Sequence, residues 1–117
     1  RAKTGDETDW TRIAELYAEL ASVAPSPVVE LNRAVAVSMA QGPAEALPLV
    51  DALADAPGMK SYYLLPAVRA DFLKKLGRYD EARSEFERAA SLTRNESERK
   101  LLRERAASCQ PEPATPS

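Results

Sequence analysis

The sequence predicts an all-α fold of about six helices, stacked as helical hairpins. Three observations predict it. Apolar residues recur at three- and four-residue spacing in six successive segments, as on helices with one buried stripe. No segment shows the two-residue alternation of a half-buried strand. Two helix pairs also share a register: Ala34 and Ala46 recur as Ala70 and Ala82 (70 − 34 = 82 − 46 = 36).

The first helix is expected over residues 8–22. Trp10, Ile13, Tyr17 and Leu20 recur on one face, Trp10 is expected in the core, and Thr8 or Asp9 supplies the N-cap. "APSP" separates it from the second helix, over residues 27–41. There Ser26 caps and Pro27 takes the first helical position, where a missing N–H costs nothing. The second helix is apolar nearly all round, through Val28, Leu31, Ala34, Val35, Val37 and Met39, as expected of a helix buried between neighbours. Gly42-Pro43 ends it and opens a third helix over residues 43–54, in which Pro48 removes one backbone bond and predicts a kink or a distorted first turn.

"ADAPGMKS" reads as a loop. The fourth helix is expected from Ser61 to Leu76, with Pro66 close enough to its start to be tolerated. Gly77 closes it in the left-handed conformation and forms the corner of a hairpin. The fifth helix follows at once over residues 79–93. Asn95, with Glu98 three residues on, resembles a capping box and starts the sixth, which runs to about residue 108 with Leu101, Leu102 and Ala106 turned inward.

The matched positions explain the hairpins. Antiparallel helices pack closely only where small residues sit at the crossing, and Ala70 and Ala82 permit that approach while Leu73, Tyr79, Phe86 and Leu92 fill the surrounding volume. Val37 matches Leu73, Val50 matches Phe86, and Gly42 falls one residue out of step with Gly77. "LGRYDEARSEFERAASL" resembles the second half of a tetratricopeptide repeat, whose period is about 34 residues. The proline usual after its second helix is replaced by Arg94-Asn95, and the earlier copy departs from the pattern at Val35, Pro48 and Val50. The expected fold is therefore tetratricopeptide-like. Two hairpins leave apolar faces open. Either the first helix covers one end and the sixth the other, or the first and second helices form a hairpin of their own. The sequence is compatible with both.

Three blocks carry a more specific resemblance. "TDWTRIAELYAEL", "PSPVVELNRAVAVSMAQGPAEAL" and "YYLLPAVRADFLKKLGRYDEARSEFERAASLTRNESERKLLRER" run in this order and cover nearly the whole chain before its tail. They resemble the C-terminal extension of a group of bacterial extracytoplasmic-function (ECF) sigma factors of the sigma-70 family. In that group a tetratricopeptide-like domain follows the two domains that bind DNA and RNA polymerase. The resemblance implies a domain that regulates sigma activity through the factor's own core domains, and through them RNA polymerase, or through a regulatory protein or peptide. It also implies that this segment, lacking the promoter-binding domains, does not itself bind DNA. Pro48 interrupts a helix that the family usually leaves intact. The alternative is a free-standing adaptor of tetratricopeptide type unrelated to transcription.

Composition narrows the function classes. Sixteen basic against 18 acidic residues give a net charge of −2, without the basic excess of a phosphate-binding surface. There is no histidine, the commonest general base and metal ligand. No phosphate-binding glycine loop, metal spacing or nucleophile–base pair is present, so no enzyme, cofactor or metal is expected. The single cysteine, Cys109, excludes an internal disulfide and suits a reduced, cytoplasmic setting; no chemistry is assigned to it. No apolar run approaches the roughly 20 residues of a membrane span, and no signal peptide opens the chain. Residues 1–7 read as a linker, 8–109 as the helical domain, and the proline-rich residues 110–117 as a disordered tail. Arg1 in place of Met suggests a piece of a longer protein.

Arg33 and Arg69 occupy equivalent repeat positions, with Asn32 and Asp71 beside them and Lys74 one turn on. In the functional reading these five line the groove side of the second and fourth helices and receive a peptide or the sigma core. In the structural reading, the commoner outcome for such groups, Arg69 pairs with an acidic neighbour and pins two helices. Lys74, Lys75 and Arg78 suit a solvated helix end, where cations are favourable. Tyr62 and Tyr63 read as packing beneath the loop rather than as a ligand platform.

Overall fold

Side-chain oxygens start three of the helices, as the capping residues predict. Asp9 Oδ1 accepts the N–H of Arg12 at 3.0 Å, Ser26 Oγ that of Val28 at 3.2 Å, and Asn95 Oδ1 that of Glu98 at 3.0 Å. The computed structural model describes residues 9–110 apart from residue 57. Its helices are α1 (Trp10–Val23), α2 (Pro27–Gln41), α3 (Pro43–Asp51), α4 (Leu64–Lys75), α5 (Tyr79–Leu92) and α6 (Glu96–Ala107). No strand occurs among the described residues. The expected linker at residues 1–7, and the expected tail at residues 110–117 apart from Gln110, lie outside them.

The chain divides between Lys60 and Ser61 into two compact units. The first contains α1–α3 and the second α4–α6. In each, the middle helix packs on both neighbours: α2 on α1 and α3, α5 on α4 and α6. The first and second helices therefore do pack on each other, and α2 packs on α3 as well. The near-continuous apolar surface of α2 is what such a shared helix needs, and Leu31, Ala34 and Ala36 are buried.

The alanine register sits at the centre of each unit. Ala34 and Ala46 in one unit, and Ala70 and Ala82 in the other, are each 0% exposed. Beside them Val50 and Phe86, also matched at 36 residues, are each 1% exposed. A methyl group at each position lets two backbones approach, and the larger side chain one turn on fills the remaining volume.

The two hairpin turns are built differently. In the second unit Gly77 has φ +80°, the left-handed conformation expected of it. The Arg78 N–H reaches back to the Leu73 carbonyl at 2.9 Å and the Gly77 N–H to the Lys74 carbonyl at 3.0 Å. These two bonds make a Schellman motif, which satisfies carbonyls that the end of α4 would otherwise orphan. In the first unit Gly42 alone joins the helices, at φ +101° and ψ 161°, a region open essentially to glycine. Pro43 and Tyr79 still begin their helices at the same offset (79 − 43 = 36). The one-residue slip between the glycines is therefore absorbed at the ends of α2 and α4.

Four local expectations differ from the structure. The fourth helix begins at Leu64, not Ser61. This start places Pro66 third in the helix, where no N–H partner is required; three residues earlier, Pro66 would have removed an interior bond. The third helix ends at Asp51, with Pro48 inside it and exposed, and the chain continues in three-residue turns (Leu53 N–H to Val50 O at 3.0 Å, Ala54 N–H to Asp51 O at 3.2 Å). The N–H missing at Pro48 would have served the carbonyl of Ala44, an exposed residue, so the loss falls on the solvent side. Leu101 is 47% exposed, because only the Leu102 and Ala106 flank of α6 faces α5. Trp10 is half-buried rather than core, because among the described elements of its unit α1 packs chiefly on α2 and none of its residues is buried.

Candidate interaction surface

The polar residues at the repeat position are engaged differently in the two units. Arg69 Nη1 on α4 lies 3.4 Å from Glu85 Oε2 on α5, and Arg88 Nη1 approaches the other Glu85 oxygen at 3.7 Å. Arg69 and Glu85 are 28% and 13% exposed, so this pair ties α4 to α5 in a partly desolvated setting. Arg33 instead meets Glu30 on its own helix, at 3.4 Å. The register explains the exchange. The position equivalent to Glu85 is Leu49 and that equivalent to Glu30 is Pro66, so neither pair can be repeated at the matched positions of the other unit.

The remaining sequence-predicted residues lie as follows. Asn32 is exposed on α2 beside Arg33. Asp71 pairs with Lys75 one turn along α4, at 3.0 Å. Lys74 Nζ donates to Ser108 Oγ at 3.3 Å, just past the end of α6. Asp71 stands two positions from Arg69, about 200° around the helix, so these two project to different flanks of α4.

Two polar nodes in the second unit escaped the sequence. Tyr63 Oη donates to Glu98 Oε2, and Thr93 Oγ1 donates to Glu98 Oε1 at 3.1 Å. Glu98 thus gathers hydroxyls from the start of α4 and the end of α5. Thr93 in turn accepts the Asn95 N–H at 3.2 Å, replacing the half of the capping box that Glu98 was expected to supply. The hydrogen bond to Glu98, burial and that carboxylate's charge raise the Tyr63 hydroxyl above its ordinary value. The second node closes α6. Cys109 is 0% exposed, its thiol faces the Arg105 carbonyl at 3.2 Å, and Arg83 Nη2 donates to the Cys109 carbonyl at 2.8 Å. Burial pushes the thiol upward, against the opposing pull of Lys74 and Arg83. A threonine two residues before Asn95 was the one available signal for the first node; nothing in the spacing announces the second.

No family model matches the chain. A relative is found: an uncharacterized protein of Rhizobium meliloti (strain 1021) is 44% identical over 115 residues, 98% of this chain. The chain spans about a quarter of that protein's length, 27%. No solved structure matches.

An open groove of about 450 Å³ along α6 is lined by Glu96, Arg99, Lys100, Arg103, Glu104 and Ala107, all from that one helix. Among the described residues no group of acidic or cysteine side chains could hold a metal ion, and no helix is long and apolar enough to cross a membrane. Chemically, the arrangement can present rigid helix faces and fixed charges to another polypeptide.

Proposed function

We propose that this chain is the C-terminal regulatory and protein-interaction domain of a bacterial ECF sigma factor, acting in the cytoplasm without catalysis of its own. It modulates the factor through contacts with the sigma core domains, and through them RNA polymerase, or with a regulatory protein or peptide. The observation that carries the reading is where the resembling blocks fall. "PSPVVELNRAVAV" supplies the start of α2, and "LLPAVRADFLKKLGR" supplies α4 and its corner. Both blocks therefore form the first helix of a hairpin in the shared register. The length of the Rhizobium relative agrees: if 115 residues are 27%, the whole is about 430 residues and about 310 lie outside the match, room for two further domains. The candidate docking residues are Asn32, Arg33, Asp71 and Lys74, with Arg69 as the internal pin.

The test is transcription in vitro by core RNA polymerase with the full-length factor and with a form lacking this segment. Altered promoter output or an altered response to a regulator supports the proposal. Unchanged output and response would return the domain to the class of free-standing adaptors.

A further inference from the structure

Helix α6 is attached to its unit chiefly by polar bonds, and these fall at its two ends. Near its start, Glu98 accepts the Tyr63 and Thr93 hydroxyls, and Arg99 Nη2 donates to the Thr93 carbonyl at 2.9 Å. Just past its last turn, Arg83 donates to the Cys109 carbonyl at 2.8 Å and Lys74 to Ser108 Oγ at 3.3 Å. Between these ends the buried residues of α6 are Leu102 and Ala106 alone. Helix α4 buries Leu65, Pro66, Ala70, Phe72 and Leu73, and α5 buries Ala82, Phe86, Ala89 and Ala90.

Apolar burial largely sets the free energy at which a segment opens by itself. Of the three helices in its unit, α6 gives up the least of it. Glu96, Lys100, Arg103, Glu104 and Arg105 already face water in the docked chain. The link to α5 is also permissive. Residues 93–95 replace a tight glycine corner with backbone that is extended at Thr93 (ψ 145°) and Asn95 (ψ 119°), a region open to any residue. The helix is therefore free to swing away without straining its connection.

We infer that α6 is a strap that undocks as one piece while α4 and α5 stay paired, with Glu98 as its latch. One carboxylate takes a hydroxyl from the start of α4 and another from the end of α5, so it bonds both only when all three helices are in place. The alanines Ala70 and Ala82 and the Arg69–Glu85 pair hold α4 to α5 without any help from α6. Opening uncovers the flank of α5 that carries Arg83 and, two turns on, Ala90, together with the Cys109 thiol. A helix seat that is closed in the docked chain is thereby exposed. The inference does not depend on the sigma-factor reading.

Hydrogen exchange on the whole chain, read helix by helix by mass spectrometry, tests the strap. Amides of α6 should exchange about tenfold or more faster than the slowest amides of α4 and α5. Glu98→Ala should speed α6 by roughly a further tenfold and leave α4 and α5 unchanged, because two hydroxyls lose a charged acceptor. Arg69→Ala should do the reverse, speeding α4 and α5 and leaving α6 as it was, since α6 already exchanges through its own opening. The Cys109 thiol should follow α6, reacting faster with a disulfide reagent in Glu98→Ala. One common rate for all three helices of the wild type would overturn the inference, because α6 would then leave only when the unit unfolds. So would Glu98→Ala speeding all three helices together, or leaving α6 unchanged.

Discussion

Arg69 and Glu85 join α4 to α5 at 3.4 Å, while Arg33, the repeat equivalent of Arg69, stays with Glu30 on its own helix. One sequence position therefore makes an inter-helix pin in the second unit and a local surface pair in the first. The difference comes from Leu49 standing where Glu85 would be needed. An arginine at a matched repeat position is thus no evidence of a shared binding role.

Removing Arg69 leaves a carboxylate that is 13% exposed with only the more distant Arg88 beside it. We expect Arg69→Ala to destabilise the chain by about 1–2 kcal/mol, the cost of a partly buried charge losing its partner. Arg33→Ala, which breaks a more exposed pair, should cost about 0.5 kcal/mol or less. Urea unfolding of the two variants measures both. Equal losses would show that the inter-helix pair contributes nothing beyond a surface contact.

Gly77 is the corner of the second hairpin at φ +80°, and an added Cβ would meet no atom within 4 Å. Space is therefore no obstacle, and backbone strain is the whole penalty. Gly77→Ala should lower stability by about 1–2 kcal/mol, and Gly77→Asn by less, since asparagine tolerates the left-handed region. Thermal unfolding that ranks alanine with glycine would remove the Schellman corner as the reason for the residue.

Local signals were legible in the sequence where one residue type answers one geometric need. The caps at Asp9, Ser26 and Asn95, the corner at Gly77 and the four register alanines all have this character. Partner choice over distance was not legible. Glu85 lies 16 residues from Arg69 (85 − 69 = 16), and nothing in the helical pattern distinguishes it from Glu81 or Glu87. Glu98 fits a capping box by spacing, yet Tyr63, 35 residues away, takes its carboxylate. Leu101 and Leu102 are equivalent in composition; only the angle at which α6 meets α5 buries one and exposes the other.

Cys109 reports on the seam between α5 and α6. It is fully buried, and its carbonyl is held by Arg83 at 2.8 Å. Its thiol should react slowly with a disulfide reagent in the native chain and rapidly in urea, because burial both blocks access and disfavours the thiolate. Arg83→Gln should raise the native rate without exposing the cysteine fully, since Leu102 and Ala106 still seat the helix. A native rate matching that in urea would mean that the end of α6 is open in solution.

The Tyr63–Glu98 contact predicts how stability falls at alkaline pH. The Tyr63 hydroxyl titrates above its ordinary value of about 10 in the folded chain, chiefly because it donates to Glu98. The native state therefore holds this proton more tightly than the unfolded state. The contribution is complete below about pH 10 and is lost as pH rises through the raised native value. Urea midpoints measured from about pH 8 to 11 should fall more steeply for the wild type than for Tyr63→Phe, which has no proton to lose. Glu98→Gln retains an acceptor but removes the charge, so its alkaline limb should lie between the two. Cys109 titrates in the same direction in all three proteins and cancels from the comparison. Superimposable alkaline limbs for wild type and Tyr63→Phe would show that the hydroxyl is not held by Glu98 in solution.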